Sequence, residues 1–126
     1  MRVEDVISAV NTMQPNTLDD RDKYSMLSNA ERCVREVLSG YVGYEGCSEP
    51  MEDFDPERDN TATLLTPAPY SELYKYYLLA EINLRYGDIA KYNTYSTLYE
   101  TAFDNFRRYV VRNYQSKNTI RRFKTI

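Results

Sequence analysis

Pro69-Tyr70-Ser71-Glu72-Leu73-Tyr74-Lys75-Tyr76-Tyr77-Leu78-Leu79-Ala80-Glu81-Ile82-Asn83-Leu84-Arg85-Tyr86-Gly87-Asp88-Ile89 is the stretch that decides the architecture. Tyr70, Leu73, Tyr77, Ala80 and Leu84 recur at helical spacing, and Tyr74, Tyr76, Leu78, Leu79 and Ile82 carry apolar character around the rest of the cylinder. A helix apolar on so much of its circumference belongs at the centre of a bundle or under partners. Thr66-Pro67-Ala68-Pro69 reads as its entry, because proline in a first turn gives up an N–H that has no intrahelical acceptor. Tyr86-Gly87-Asp88 breaks the pattern, with Gly87 able to supply a left-handed cap.

Beyond that break, Tyr92, Tyr95, Tyr99, Ala102, Phe106 and Tyr109 form a heptad series, which Leu98, Phe103, Val110 and Tyr114 widen. A helix from Ile89 through Gln115 would run roughly 40 Å. The tight turn at Gly87 folds it antiparallel onto the preceding helix. Upstream, Val3, Val6, Ile7, Val10 and Met13 predict a short first helix that Pro15 closes. Met26, Leu27, Ala30, Cys33, Val34, Val37 and Leu38 predict a longer second one, with Asp19, Asp20 and Asp22 at its N-terminus and Gly40 as its stop. Residues 41–67, with Gly43, Gly46, Pro50, Pro56 and Pro67, hold no sustained period and read as a long loop or short hairpin, Tyr41-Val42 and Thr63-Leu64-Leu65 being candidate short strands. Residues 116–126 are aperiodic and expected to extend away from the bundle. The expectation is an all-α single domain over residues 1–126, about four helices with a core near 3–115, a long acidic loop and an extended basic C-terminal tail.

The full chain has 126 residues, Lys+Arg 16 and Asp+Glu 19. That is one domain's worth of chain. His 0 removes the commonest general base near neutral pH and the usual partner of a nucleophilic Ser or Cys. Two cysteines without histidine cannot close a zinc site, so no cofactor or metal and no enzymatic activity is expected. The acidic start Met1-Arg2-Val3-Glu4-Asp5 and the lack of a long apolar run predict a soluble protein made in a cytoplasm, without membrane contact.

The net charge of -3 conceals two opposed blocks. Glu45, Glu49, Glu52, Asp53, Asp55, Glu57 and Asp59 face Arg58 alone, whereas every charged residue after Asp104 is basic: Arg107, Arg108, Arg112, Lys117, Arg121, Arg122 and Lys124. The alternating aspartates invite comparison with a calcium loop. Arg58 stands where that loop needs glycine, however, and Leu64 where it needs a bidentate carboxylate, so a solvated acidic segment is the better reading. Cys33, on the apolar face of the second helix, reads as an inert core thiol, and acidic neighbours disfavour a reactive Cys47. Ten of the thirteen tyrosines fall between Tyr70 and Tyr114. Two helices cannot bury that many phenols and satisfy each hydroxyl. Part of the set, including Tyr70, Tyr74, Tyr77, Tyr92, Tyr95 and Tyr99, is therefore assigned to aromatic packing or subunit contact. The basic tail has three readings: phosphate binding, docking on an acidic protein surface, or a solubilising extension. With Phe123 the one aromatic among its last basic residues, protein docking is preferred.

The stretch from Pro69-Tyr70 through Leu73-Tyr74 and Tyr77-Leu78 to Ile82, then Gly87-Asp88 and Lys91-Tyr92-Asn93, resembles small neck proteins of tailed bacteriophages and prophages of Gram-positive bacteria, the head-to-tail connectors (adaptors). Glu4, Val6, Ile7, Gln14-Pro15-Asn16, Lys23, Leu27-Ser28 and Thr63-Leu64-Leu65 extend the likeness over most of residues 1–115. Tyr86-Gly87-Asp88 replaces the family's Asn-Gly-Glu, and Asn93-Thr94 its Asn pair. The resemblance implies a helical protomer that assembles in a ring of twelve beneath the portal protein and meets tail or stopper proteins below. Such a ring passes DNA non-specifically through its channel and resides in the virion neck. On this expectation the basic residues from Arg107 onward contact the portal or a neighbouring subunit's acidic loop at Glu52, Asp53 and Asp55. The alternative is a small helical nucleic-acid-binding or packaging protein that uses its basic tail on phosphates.

Overall fold

The computed structural model describes residues 1–117 and contains four helices: α1 (Val3–Met13), α2 (Asp20–Leu38), α3 (Glu72–Arg85) and α4 (Ile89–Asn113), with one short 3-10 turn at Glu45–Ser48. Among the described residues there is no strand, so the all-α bundle is the observed class. Three of the four helices, α1, α2 and α4, begin where the sequence offers a carboxylate acceptor for backbone N–H groups. Asp5 accepts from the Arg2 backbone at 3.1 Å, Asp19 from Arg21 at 3.2 Å and Asp88 from Lys91 at 3.1 Å.

α3 is the axis of the molecule. It packs against α1, α2 and, most extensively, α4. Leu73, Tyr74, Leu78, Leu79 and Ile82 are completely buried, and Val6, Val10, Leu27, Val34 and Leu38 from α1 and α2 close over them. Gly87, at φ 73°, makes the reversal into α4, and the ring pairs Tyr77–Tyr99 (5.2 Å) and Tyr70–Tyr109 (4.8 Å) show the antiparallel register. α4 is about 37 Å long but buries only Phe103, Phe106 and Val110.

Several boundaries differ from the sequence reading. α3 starts at Glu72, so Pro67, Pro69 and Tyr70 precede it, and the Ala68–Pro69 peptide is cis. α2 ends at Leu38 with Ser39 as its C-cap, so Gly40 follows the stop as expected, although the glycine with positive φ is Gly43. α4 ends at Asn113, not Gln115. The candidate strands do not pair with each other. Thr63 bridges to Arg2 and Tyr41 to Ser116. The chain after α4 therefore turns back onto the bundle instead of leaving at Ser116: Val42 N–H donates to Gln115 at 2.9 Å and Lys117 N–H to Gly40 at 3.1 Å. Tyr41, Tyr44 and Tyr109 surround Tyr114 with ring centroids 5.4–6.3 Å away, a cluster that holds this return in place.

Residues 41–67 also depart from the free excursion expected of them. Phe54 N–H donates to Ser28 Oγ at 2.8 Å, Leu64 N–H to the Met1 carbonyl at 2.9 Å, and Val3 N–H to Ala62 at 3.0 Å. The segment is laced to α2 and to the N-terminus.

Candidate interaction surfaces

The acidic block divides into anchored and outward carboxylates, and Glu45 belongs with the anchored ones because it accepts the Gly43 N–H at 3.1 Å. Short aspartates bond locally: Asp59 accepts the Asp55 N–H at 2.8 Å, Asp55 accepts the Glu57 N–H at 2.8 Å, and Asp53 is paired with Arg32 and accepts Ser25 Oγ at 3.1 Å. These donors hold the carboxyls of Asp53 and Asp59 below the usual aspartate range, Arg32 being the main cause for the first and the Asp55 N–H for the second. Such commitments leave the aspartates little to offer a calcium ion, and no cluster of metal-ligating side chains occurs among the described residues. The glutamates Glu49, Glu52 and Glu57 are exposed, and their carboxylates make no hydrogen bond or ion pair with the described residues.

The basic residues are likewise sorted by the helix. Arg108 and Arg112 lie one turn apart and, with Pro69, Tyr70, Glu72, Ala102 and Asn105, line an open groove of about 490 Å³. Arg108 is ion-paired with Asp104 at 3.0 Å and Glu72 with Lys75 at 2.8 Å, both at the surface. Arg112 has no carboxylate partner among the described residues. Arg107 points the other way, its guanidinium 4.7 Å over the Phe103 ring, and lines a separate groove with Cys33, Glu36 and Tyr99. Lys117 is half-buried where the chain returns onto the bundle, while Arg121, Arg122 and Lys124 lie outside the described residues.

Among the tyrosines, Tyr74 is removed from any subunit contact because it is completely buried. Its hydroxyl donates to Glu31 Oε1 at 2.7 Å, lies 2.8 Å from Thr66 Oγ1 and accepts the Thr66 N–H at 3.2 Å. Glu31 also accepts the Leu65 N–H at 3.0 Å, so the carboxylate ties α2, the loop and α3 together. Burial pushes Glu31 up from its ordinary value, against the pull of those donors and Arg35. Burial chiefly, and then the Glu31 charge, push Tyr74 far above the usual phenol range. This network was readable in principle, since Glu31 sits between Leu27 and Val34 at core spacing. Tyr70, Tyr77, Tyr92, Tyr95 and Tyr99 are half-buried, each with part of its ring available to solvent.

Cys33 corrects the sequence reading, for it is exposed on α2 rather than in the core. The apolar face turns past it through Ala30, Val34 and Leu38. A second buried polar link joins the end of α1 to α3: Gln14 and Asn83 exchange amide hydrogen bonds at 2.8 and 3.0 Å. No buried side-chain polar atom among the described residues lacks a partner, and none of their helices is long and apolar enough to cross a membrane. Compared with protein-family models, curated proteins and solved structures, the chain matches none of them.

Proposed function

We propose that this chain is a structural head-to-tail adaptor of a tailed bacteriophage, a protomer of a twelve-membered ring that sits under the portal in the virion neck and continues the DNA channel toward the tail. The observation that carries the reading is the first half of α4. Residues 89–102 contain no buried side chain, yet they present half-buried Tyr92, Tyr95 and Tyr99 together with exposed Ile89 and Leu98. A long helix left this uncovered in the protomer is suited to burial against neighbours in an assembly, and tyrosine suits such a surface because its ring packs while its hydroxyl stays wet. The likeness of the Pro69–Asn93 region to phage connectors supports the same reading. It involves no catalytic step and no cofactor.

Mixing the purified chain with portal rings and imaging the product tests it. The expected result is a ring of this chain on one face of the portal. Failure to bind portal, combined with duplex-DNA affinity that falls steeply as salt rises, would overturn it in favour of a nucleic-acid-binding protein.

A further inference from the structure

We infer that the groove between the Pro69–Tyr70 corner and α4 receives the acidic loop of a second copy of this chain, with Arg108 and Arg112 engaging Glu49, Glu52 and Glu57. This contact deepens the ring reading above and rests on it. Three observations lead to it. Glu49, Glu52 and Glu57 are exposed and make no hydrogen bond or ion pair with the described residues, whereas the aspartates are committed to Arg32, Ser25 and the loop's own N–H groups. The groove, at about 490 Å³, is within the roughly 300–1,000 Å³ of clefts that hold small ligands, and carries two guanidiniums on one helix face. The fork of Arg112 meets no carboxylate among the described residues. That of Arg108 gives one bond to Asp104, and a guanidinium has five N–H donors suited to bidentate carboxylate recognition.

The same anchoring that frees the glutamates makes the contact intermolecular. The loop is fastened along α2 through Phe54–Ser28 and Arg32–Asp53, whereas the groove is built from the approach to α3 and the second half of α4. Two different patches that complement each other on one chain give a heterologous contact, which propagates from copy to copy and closes into a ring if the rotation allows. Glu72, the groove's own carboxylate, is occupied by Lys75.

The test uses the full chain and two charge-reversed forms, one with Glu49→Lys, Glu52→Lys and Glu57→Lys, the other with Arg108→Glu and Arg112→Glu. Self-association is read by sedimentation up to the solubility limit, and retention of fold by far-ultraviolet circular dichroism. Each reversed form alone should associate at least tenfold more weakly than the parent, because like charges then meet. An equal mixture of the two should recover association, since every loop in it finds a groove of opposite charge. If a reversed form does not fold, the neutral pair Glu52→Gln and Arg112→Gln is read instead, each weakening association. Parent-like association of both reversed forms, a mixture that stays dissociated, or a parent chain that does not associate at all would each overturn the pairing. Portal binding is measured separately, so an intact portal complex with an overturned pairing leaves the adaptor reading standing. Salt-dependent DNA binding lost only in the Arg108→Glu, Arg112→Glu form, with association unchanged, would assign the groove to phosphate and overturn the pairing as well.

Discussion

Glu31 lies on the buried face of α2 between Leu27 and Val34, where a carboxylate is tolerated only because Tyr74 and the Leu65 N–H satisfy it. Tyr74→Phe removes its hydroxyl donor and the acceptor of the Thr66 N–H, and should cost about 1–3 kcal/mol in urea denaturation. The pH dependence has a definite sign. Because burial raises Glu31 in the folded state, its proton is held more tightly there than in the unfolded chain. Its contribution is intact below the ordinary glutamate value and declines as pH rises through the elevated one. Glu31→Gln keeps an acceptor but carries no charge to bury, so its stability relative to the parent should increase as pH rises above the ordinary glutamate value toward the elevated one. A difference that stays flat across that range would rule out this account of the site.

At the scale of elements, α3 and α4 form a hairpin whose reversal depends on a single backbone conformation. Gly87 has φ 73°, and a Cβ placed there would meet nothing within 4 Å, so substitution is penalised through the backbone and not by collision. Gly87→Ala should therefore destabilise by about 1–2 kcal/mol, with Gly87→Asn affected less because asparagine tolerates the left-handed region. Equal losses for the two would point to crowding instead. The long segment between α2 and α3 behaves as an element in its own right. Its aspartates and Glu45 bond to nearby N–H groups, while Glu49, Glu52 and Glu57 are left outward. One acidic block thereby supplies both the rigidity of the loop and its external charge.

For the whole molecule, the asymmetry of α4 is the main feature. Phe103, Phe106 and Val110 fix its second half to the core, and the first half lies on α3 with most of its surface open. Leu98 is 40% exposed, so Leu98→Glu should change stability by no more than about 0.5 kcal/mol. If α4 is an assembly surface, the same change should abolish ring formation on the portal, as seen by imaging and by co-sedimentation. Normal rings from the Leu98→Glu chain would remove this half of the helix from the interface.

The sequence by itself determined the four helices and the α3–α4 hairpin, because apolar residues at helical spacing, acidic caps and Gly87 are local signals that agree with one another. It also separated the acidic and basic blocks, since charge is read directly from composition. Only the tertiary structure decided which members of each block remain available. Asp53 is taken by Arg32 and Arg108 by Asp104, whereas Glu52 and Arg112 form no ion pair among the described residues, and these pairings depend on which side chains the packed helices bring within reach. For the same reason Cys33 lies outside the core expected of it, and Tyr74 takes the packing side of its two readings. Residue spacing gives a helix face only to within a turn's rotation, and the packing of α2 against α3 sets which edge of that face is sealed.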